Sequence, residues 1–269
     1  MINRSLGSTK YLLNFAKNYL YFMSNQVKKR MITSTEDLVN DLNQCIPQLS
    51  VDCVIFGFHD NELKVLLSKY PQLDMWALQG GFVFQNEDID AAATRILEEL
   101  TGLNKIFLKQ FQTFGKANRP SFNDALKEAL EEYPFDVAAI PFLNQRFVSI
   151  GYYSLVDFQK ATPSVGFFFE HSDWFDVKNL PNLAFDHAEM IEKALHTLRQ
   201  SLDYQLVGFN LMPETFTMKE LQRLYETILG EPLKRNNFQE KVLNLNILER
   251  LEKQYSGGAH KAPYLYRFL

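Results

Sequence analysis

The sequence predicts an α+β chain in two parts. The larger part is a domain in which strands and helices alternate around a mixed sheet. A small helix–turn–helix–hairpin domain closes the chain. Three observations predict this. Apolar strand-like runs bounded by turn residues begin at Val51 and recur to about residue 170. Between Gly81 and Leu103, glycines, acids and one arginine frame an apolar stripe at helical spacing. After Pro213 the pattern shifts to two short helices and two closing strands within about fifty-five residues.

The elements follow in order. Val51–Phe58 reads as a buried strand, His59–Glu62 as a turn and Leu63–Ser68 as the returning strand. Trp76–Val83 is a third strand, broken by the glycine pair Gly80-Gly81. Acids at Glu87, Asp88 and Asp90 open a helix, where its dipole favours them. Its apolar stripe is Ile89, Ala92, Ala93, Ile96, Leu97 and Leu100, and Gly102 ends it. Strands are expected over Ile106–Phe114, Arg146–Val156 and Val165–Glu170, and a helix over His187–Leu202. Residues 119–145 read as an insertion with a short helix near Asn123–Glu132. In the tail, Thr217 and Glu220 form a capping box for a helix with Leu221, Leu224, Tyr225 and Ile228 on one face. A second helix is expected from about Asn236 to Leu245, then a hairpin of Leu248–Tyr255 and Tyr264–Phe268. That order is the layout of a winged helix-turn-helix. The expected domains are an extension over 1–48, a first domain over 49–205 and the winged helix over 206–269.

Composition narrows the function classes. The 269 residues are 46% apolar and 22% charged, ordinary for a globular protein. The 23 phenylalanines suggest an aromatic core or pocket. Two cysteines, Cys45 and Cys53, exclude a disulfide scaffold and a CxxC zinc site. The five histidines are scattered, so no metal site is expected. The net charge of −4 conceals a gradient. Residues 1–35 hold six bases and no acid, and 213–269 hold nine bases and seven acids. The middle holds thirteen bases and twenty-five acids. An acidic middle with a mildly basic tail suits a sensor joined to a nucleic-acid reader, though solvated faces give the same pattern. No apolar run is long enough to span a bilayer, and Asn14, Lys17 and Asn18 interrupt any signal-type segment near the start. A cytoplasmic protein is expected, with no cofactor and no membrane partner.

The segment Gly81-x5-Glu87-x7-Arg95-Ile96-Leu97-Glu98-Glu99-Leu100-Thr101-Gly102-Leu103 resembles the Nudix box, G-x5-E-x7-R-E-U-x-E-E-x-G-U. Gly81, Glu87, Arg95, Leu97, Glu99, Gly102 and Leu103 fit it. Ile96 and Leu100 stand where two of its acids belong. Positions 96, 99 and 100 share one helix face, where three carboxylates would hold Mg²⁺ against a diphosphate. One carboxylate between two aliphatics is a poor magnesium site, and Glu98 lies about 100° round the helix. Arg95 and Glu99 also fit an ordinary i, i+4 ion pair. The resemblance implies a Nudix α/β/α sandwich with a mixed sheet and a catalytically degenerate box. The alternative is a Mg²⁺-dependent pyrophosphohydrolase acting on a nucleoside diphosphate derivative.

A degenerate Nudix domain followed by a winged helix resembles the Nudix-related transcriptional regulators, the NrtR-like family. The likeness covers roughly residues 49–269. It rests on Val207–Pro213, Phe216–Glu226, Gly230–Phe238, Leu265–Phe268 and Phe185-Asp186-His187. It implies a ligand-responsive, homodimeric regulator that binds a palindromic operator in double-stranded DNA. Family effectors include ADP-ribose-like nucleotides and, in one branch, arabinose; the quoted segments look closest to that sugar-responsive branch. Candidate effector contacts are Trp76, Gln79, Phe82 and Arg95 at the box, with Asp186, His187 and Glu189 downstream. Aromatic faces with a few polar groups suit a sugar or nucleoside, although Trp76 and Phe82 equally suit a core. Candidate DNA contacts are Lys219, then Lys234, Arg235, Asn236, Asn237, Gln239 and Lys241 on the second helix, with His260 and Lys261 in the wing.

Overall fold

The computed structural model describes residues 35–70, 74–103, 107–119, 121, 140–158, 161–163, 169–202, 211–254 and 262–269. The first domain is built on a six-stranded sheet in the order β4-β5-β1-β3-β2-β6. Its strands are β1 (Cys45–His59), β2 (Glu62–Lys69), β3 (Trp76–Phe84), β4 (Phe107–Phe114), β5 (Val148–Val156) and β6 (His171–Asp176). Long central β1 pairs in parallel with β5 and antiparallel with β2 and β3, so the sheet is mixed. Asp60 and Asn61 take left-handed backbone at the β1–β2 turn, a conformation that short polar side chains tolerate.

Alternation along the strands separates two faces. Val51, Cys53 and Ile55 join Leu66, Val83, Ile150 and Tyr152 on one face, beneath α2 (Ile89–Thr101) with its Ala92, Ala93, Ile96, Leu97 and Leu100. Val54 and Phe56 join Val65, Leu67, Leu78, Tyr153 and Leu155 on the other, beneath α3 (His187–Ser201). Helices therefore cover both faces, as a sandwich requires. Gly102 ends α2 with φ at 70°, its N–H bonded to the Glu98 carbonyl. A β-branched or bulky residue would be strained there.

The C-terminal domain contains α4 (Met218–Leu229), α5 (Arg235–Asn244) and a sheet ordered β7-β9-β8, from β7 (Phe216–Thr217), β8 (Leu248–Lys253) and β9 (Tyr264–Phe268). The capping box of α4 forms as expected, with Thr217 and Glu220 satisfying each other's backbone N–H. The two domains share one core. Met190, Ile191, Ala194, Leu198 and Leu202 at α3 pack in the same apolar cluster as Leu221, Leu224, Ile228, Phe238 and Val242. At the end of α3, Arg199 Nε donates to the Ile228 carbonyl at 2.8 Å. Thr227 Oγ1 reaches the Asn61 carbonyl at 3.1 Å.

Three differences from the sequence-based expectation matter. The edge strand that is described follows the strand expected over Val165–Glu170. Residues 164–168 lie outside the described residues, Phe169 and Glu170 are not in a strand, and the edge strand is His171–Asp176. An edge has a solvated side, which the mixed polar and aromatic His171–Asp176 suits. Second, the unassigned extension contains a helix, α1 (Thr35–Leu42), with Leu38 and Leu42 buried. Its exit is tied to the end of β3 by Gln85, whose N–H and Nε2 donate to the Gln44 and Asn43 carbonyls. Third, α5 starts one residue earlier than expected, at Arg235. The helix expected near Asn123–Glu132 lies outside the described residues.

Candidate functional site

The box forms a closed brace on the α2 side. Glu87 accepts the Phe84 N–H at 2.8 Å and takes two bonds from Arg95, at 2.6 and 3.0 Å. The same guanidinium donates to the Phe82 carbonyl at 3.0 Å, approaches Glu99 at 3.7 Å and lies 4.3 Å over the Phe84 ring. Arg95, Glu87 and Glu99 thus satisfy one another and lock the loop from β3 to α2. Ile96 and Leu100 are buried in the core beneath α2. A Cβ on Gly81 would meet Ile96 Cδ1 at 3.0 Å, so glycine allows helix and strand to close up here. Glu98 is half-buried. Among the described residues, no group of three His, Cys, Asp or Glu is placed to hold a metal ion.

A second polar constellation among the described residues lies under the other face. An open cleft is lined by Ser50, Asp52, Tyr70, Leu78, Gly80, Phe82, Arg119, Phe147, Ser149, Phe169, Phe185 and His187, among others. Arg119 is its hub. Its Nε donates to Asp186 at 2.9 Å and its Nη1 donates to Ser149 Oγ at 2.6 Å and the Phe147 carbonyl at 3.1 Å. Its Nη2 is 2.9 Å from Asp186 and 3.7 Å from Asp52. Its side chain is only 5% exposed, so a charge this deep depends on both carboxylates. His187 Nδ1 accepts the Leu78 N–H at 3.0 Å, which leaves Nε2 to carry the proton of the neutral ring, 3.8 Å from Asp52. Burial holds its pKa below the ordinary value, outweighing the nearby Asp52. Phe82, Phe142 and Phe147 pack ring against ring along one wall.

At the mouth of this cleft the backbone is strained. Phe185 has φ at 52°, a region that costs a bulky residue about 1–3 kcal/mol. Asp186 follows as the residue preceding α3, yet its side chain makes no capping hydrogen bond to the helix and instead holds Arg119.

The sequence-based candidates divide cleanly. Phe82, Asp186 and His187 come together around the cleft. Gln79 does not, because alternation along β3 turns it to the opposite face, where its Nε2 donates to Ser68 Oγ at 2.7 Å. Trp76 is buried at the far end of β3, edge-on to Phe175 and His171. Glu189 pairs with exposed Lys116 at 2.6 Å, and Arg95 belongs to the brace. Asp52, Arg119, Ser149 and Phe147 were missed. Asp52 had a signal, as a lone charge in an apolar strand; Arg119 had none, lying at the edge of the stretch read as an insertion.

In the C-terminal domain, Phe238 and Val242 anchor α5 to the core. Lys234, Arg235, Asn236, Asn237 and Lys241 are exposed around it, and Gln239 is half-exposed. Lys219 is exposed at the start of α4. His260 and Lys261 lie outside the described residues. Arg250 and Lys253 stand over the Tyr264 ring at 4.7 and 5.2 Å, adding two cations on the β8–β9 hairpin that the sequence reading did not single out.

Residues 208–268 match the family model described as NrtR DNA-binding winged helix domain. A curated relative, the ADPR responsive transcriptional repressor NtrR of Acinetobacter baylyi, is 31% identical over 229 residues, covering 82% of each chain. The chain belongs to the NrtR-like family of Nudix-related regulators. NrtR of Shewanella oneidensis, in a crystal structure with a 27mer DNA, superposes with a TM-score of 0.64 at 28% identity, over 82% of this chain and 94% of that one. A MutT/nudix family protein of Enterococcus faecalis shares the fold, with a TM-score of 0.60 at 20% identity over 88% and 94%. In NrtR terms the chain is a Nudix-like domain followed by a winged helix. No helix among the described residues is long and apolar enough to cross a membrane.

Proposed function

We propose that the protein is a cytoplasmic, homodimeric transcriptional repressor that binds a palindromic operator and is controlled by an ADP-ribose-type nucleotide bound in the Arg119 cleft. The observation that carries the DNA-binding part is α5. Two buried residues hold it, while Lys234, Arg235, Asn236 and Asn237 crowd its exposed N-terminal end, suited to the major groove. The Shewanella NrtR, named in complex with DNA, and the Acinetobacter repressor, named for its ADPR response, support the same reading. The cleft supplies aromatic walls for a base or ribose and an arginine for phosphate.

The box has a bracing role in this reading, not a hydrolytic one. Its two departures from the motif, Ile96 and Leu100, are buried apolar residues, and its arginine and two glutamates are paired.

A second reading, a free pentose such as arabinose, has one observation in its favour. Among the described cleft-lining residues, Asp52 and its neighbour Asp186 flank a single Arg119, so the polar cluster carries net negative charge. Paired carboxylates accept hydroxyl protons well and repel a diphosphate.

A mobility-shift assay on the protein's own upstream DNA tests DNA binding and both effector readings. ADP-ribose weakening the shift supports the nucleotide reading, and arabinose alone doing so supports the pentose. No shift under any condition overturns the regulator. Mg²⁺-dependent breakdown of ADP-ribose that Glu99→Gln abolishes would establish the hydrolase instead. Arg235→Ala should weaken operator binding and lower the slope of log affinity against log salt by about 1.

A further inference from the structure

We infer that the Phe185–Asp186 junction is a two-position hinge, through which α3 and the positioning residue Arg199 convey cleft occupancy to the DNA-reading domain. The inference deepens the nucleotide-responsive reading above and rests on it.

Three observations meet at this junction. Phe185 is held with φ at 52° while lining the cleft. Asp186 occupies the position from which an aspartate ordinarily accepts the first free N–H groups of a helix, yet its carboxylate is drawn to Arg119 at 2.9 Å. Arg119 already contacts Asp52, Asp186, Ser149 and the Phe147 carbonyl. An anionic group entering the cleft must therefore compete for this guanidinium. Displaced from Arg119, Asp186 has a second partner at hand in the N–H groups of α3. Taking it requires the backbone to leave its present φ of −97° and ψ of 23° for the extended conformation of a capping residue. Two discrete arrangements of one residue are what a ligand can bias.

The motion has a rigid carrier. α3 runs fifteen residues, about 22 Å. Its stripe of Met190, Ile191, Ala194 and Leu198 is buried, so a change at its start moves it as a body rather than bending it. At its far end Arg199 Nε grips the Ile228 carbonyl in the last turn of α4, at 2.8 Å. α4 packs against α5, so a shift of α4 re-aims the reading helix.

The test measures DNA affinity with and without ADP-ribose for the full-length wild type, Arg199→Ala and Arg199→Lys. In wild type the ratio of the two affinities should be between about 5 and 150. Arg199→Ala should bring that ratio to within about twofold of unity while ADP-ribose binding in the absence of DNA is unchanged. Arg199→Lys, which retains a donor, should keep part of it. An Arg199→Ala protein with the wild-type ratio overturns the inference and leaves the proposed function standing. A wild type that binds DNA but ignores ADP-ribose overturns the reading on which the inference rests. Should Arg199→Ala fail to fold, hydrogen exchange on wild type decides. ADP-ribose alone should change the protection of the Gly230 N–H, which closes α4 on the Glu226 carbonyl. A change confined to the cleft overturns the inference.

Discussion

The two faces of the central sheet treat charge in opposite ways. On the α2 face, Glu87, Arg95 and Glu99 close on one another beside the Phe84 ring, and Ile96 and Leu100 of the same helix are apolar and buried. On the α3 face, Arg119 meets Asp186 and Asp52 beside an open cleft, with His187 next to Asp52. The first arrangement is a self-contained brace; the second can exchange partners. In this chain Arg95, Glu87 and Glu99 of the box are paired with one another, and the charges that border a cleft lie across the sheet from them.

The sharpest test of that contrast is Arg119→Ala. It leaves two partly buried carboxylates without their cation and should cost about 3–5 kcal/mol of stability, read by urea or thermal unfolding, along with all effector binding. A stable Arg119→Ala protein that still binds effector would break the comparison. Arg95→Ala should cost less, about 1–3 kcal/mol, because its side chain is 20% exposed and part of its hydrogen bonding passes to water. Effector affinity, by calorimetry, should then change little. A collapse of affinity would show that the brace reaches the cleft.

A smaller effect concerns pH. His187 is held neutral by burial, with its pKa lowered from the ordinary 6.5. As pH falls, the unfolded chain takes up this proton first. The stability contribution is therefore full above that ordinary value and is lost progressively below it. His187→Asn keeps an acceptor for the Leu78 N–H, so its melting temperature should fall less than that of wild type between about pH 7 and 5. Parallel profiles would show that the histidine titrates freely. The smallest effect is chemical. Burial pushes the Cys45 thiol up to about 12 and raises that of Cys53 as well. Neither should react with a thiol reagent at neutral pH until the chain is unfolded.

Much of the framework was legible because it follows from local rules. The capping box at Thr217 and Glu220, the left-handed Gly102 and the apolar stripe of α2 all formed where periodicity and capping placed them. The twofold period of a strand even contained the answer for Gln79. It stands an odd number of residues from both Trp76 and Phe82 and must face the other way. Arg119 was illegible for a different reason. Its partners Asp52, Ser149 and Asp186 are distant in sequence and are joined only by the tertiary fold. Edge strand β6 was less legible because its mixed polar and aromatic residues give a weaker strand signal than an apolar run.

The common core also bears on modularity. Helix α3 presents Met190, Ile191, Ala194 and Leu198 to an apolar cluster that runs from the sheet into the winged helix. The winged helix and the first domain are consequently joined through this shared cluster. Expressed alone from residue 206, the winged helix would display an uncovered patch and aggregate. A chimaera that grafts this reader onto another sensor should carry α3 with it, since the joint between the two is a helix they both own.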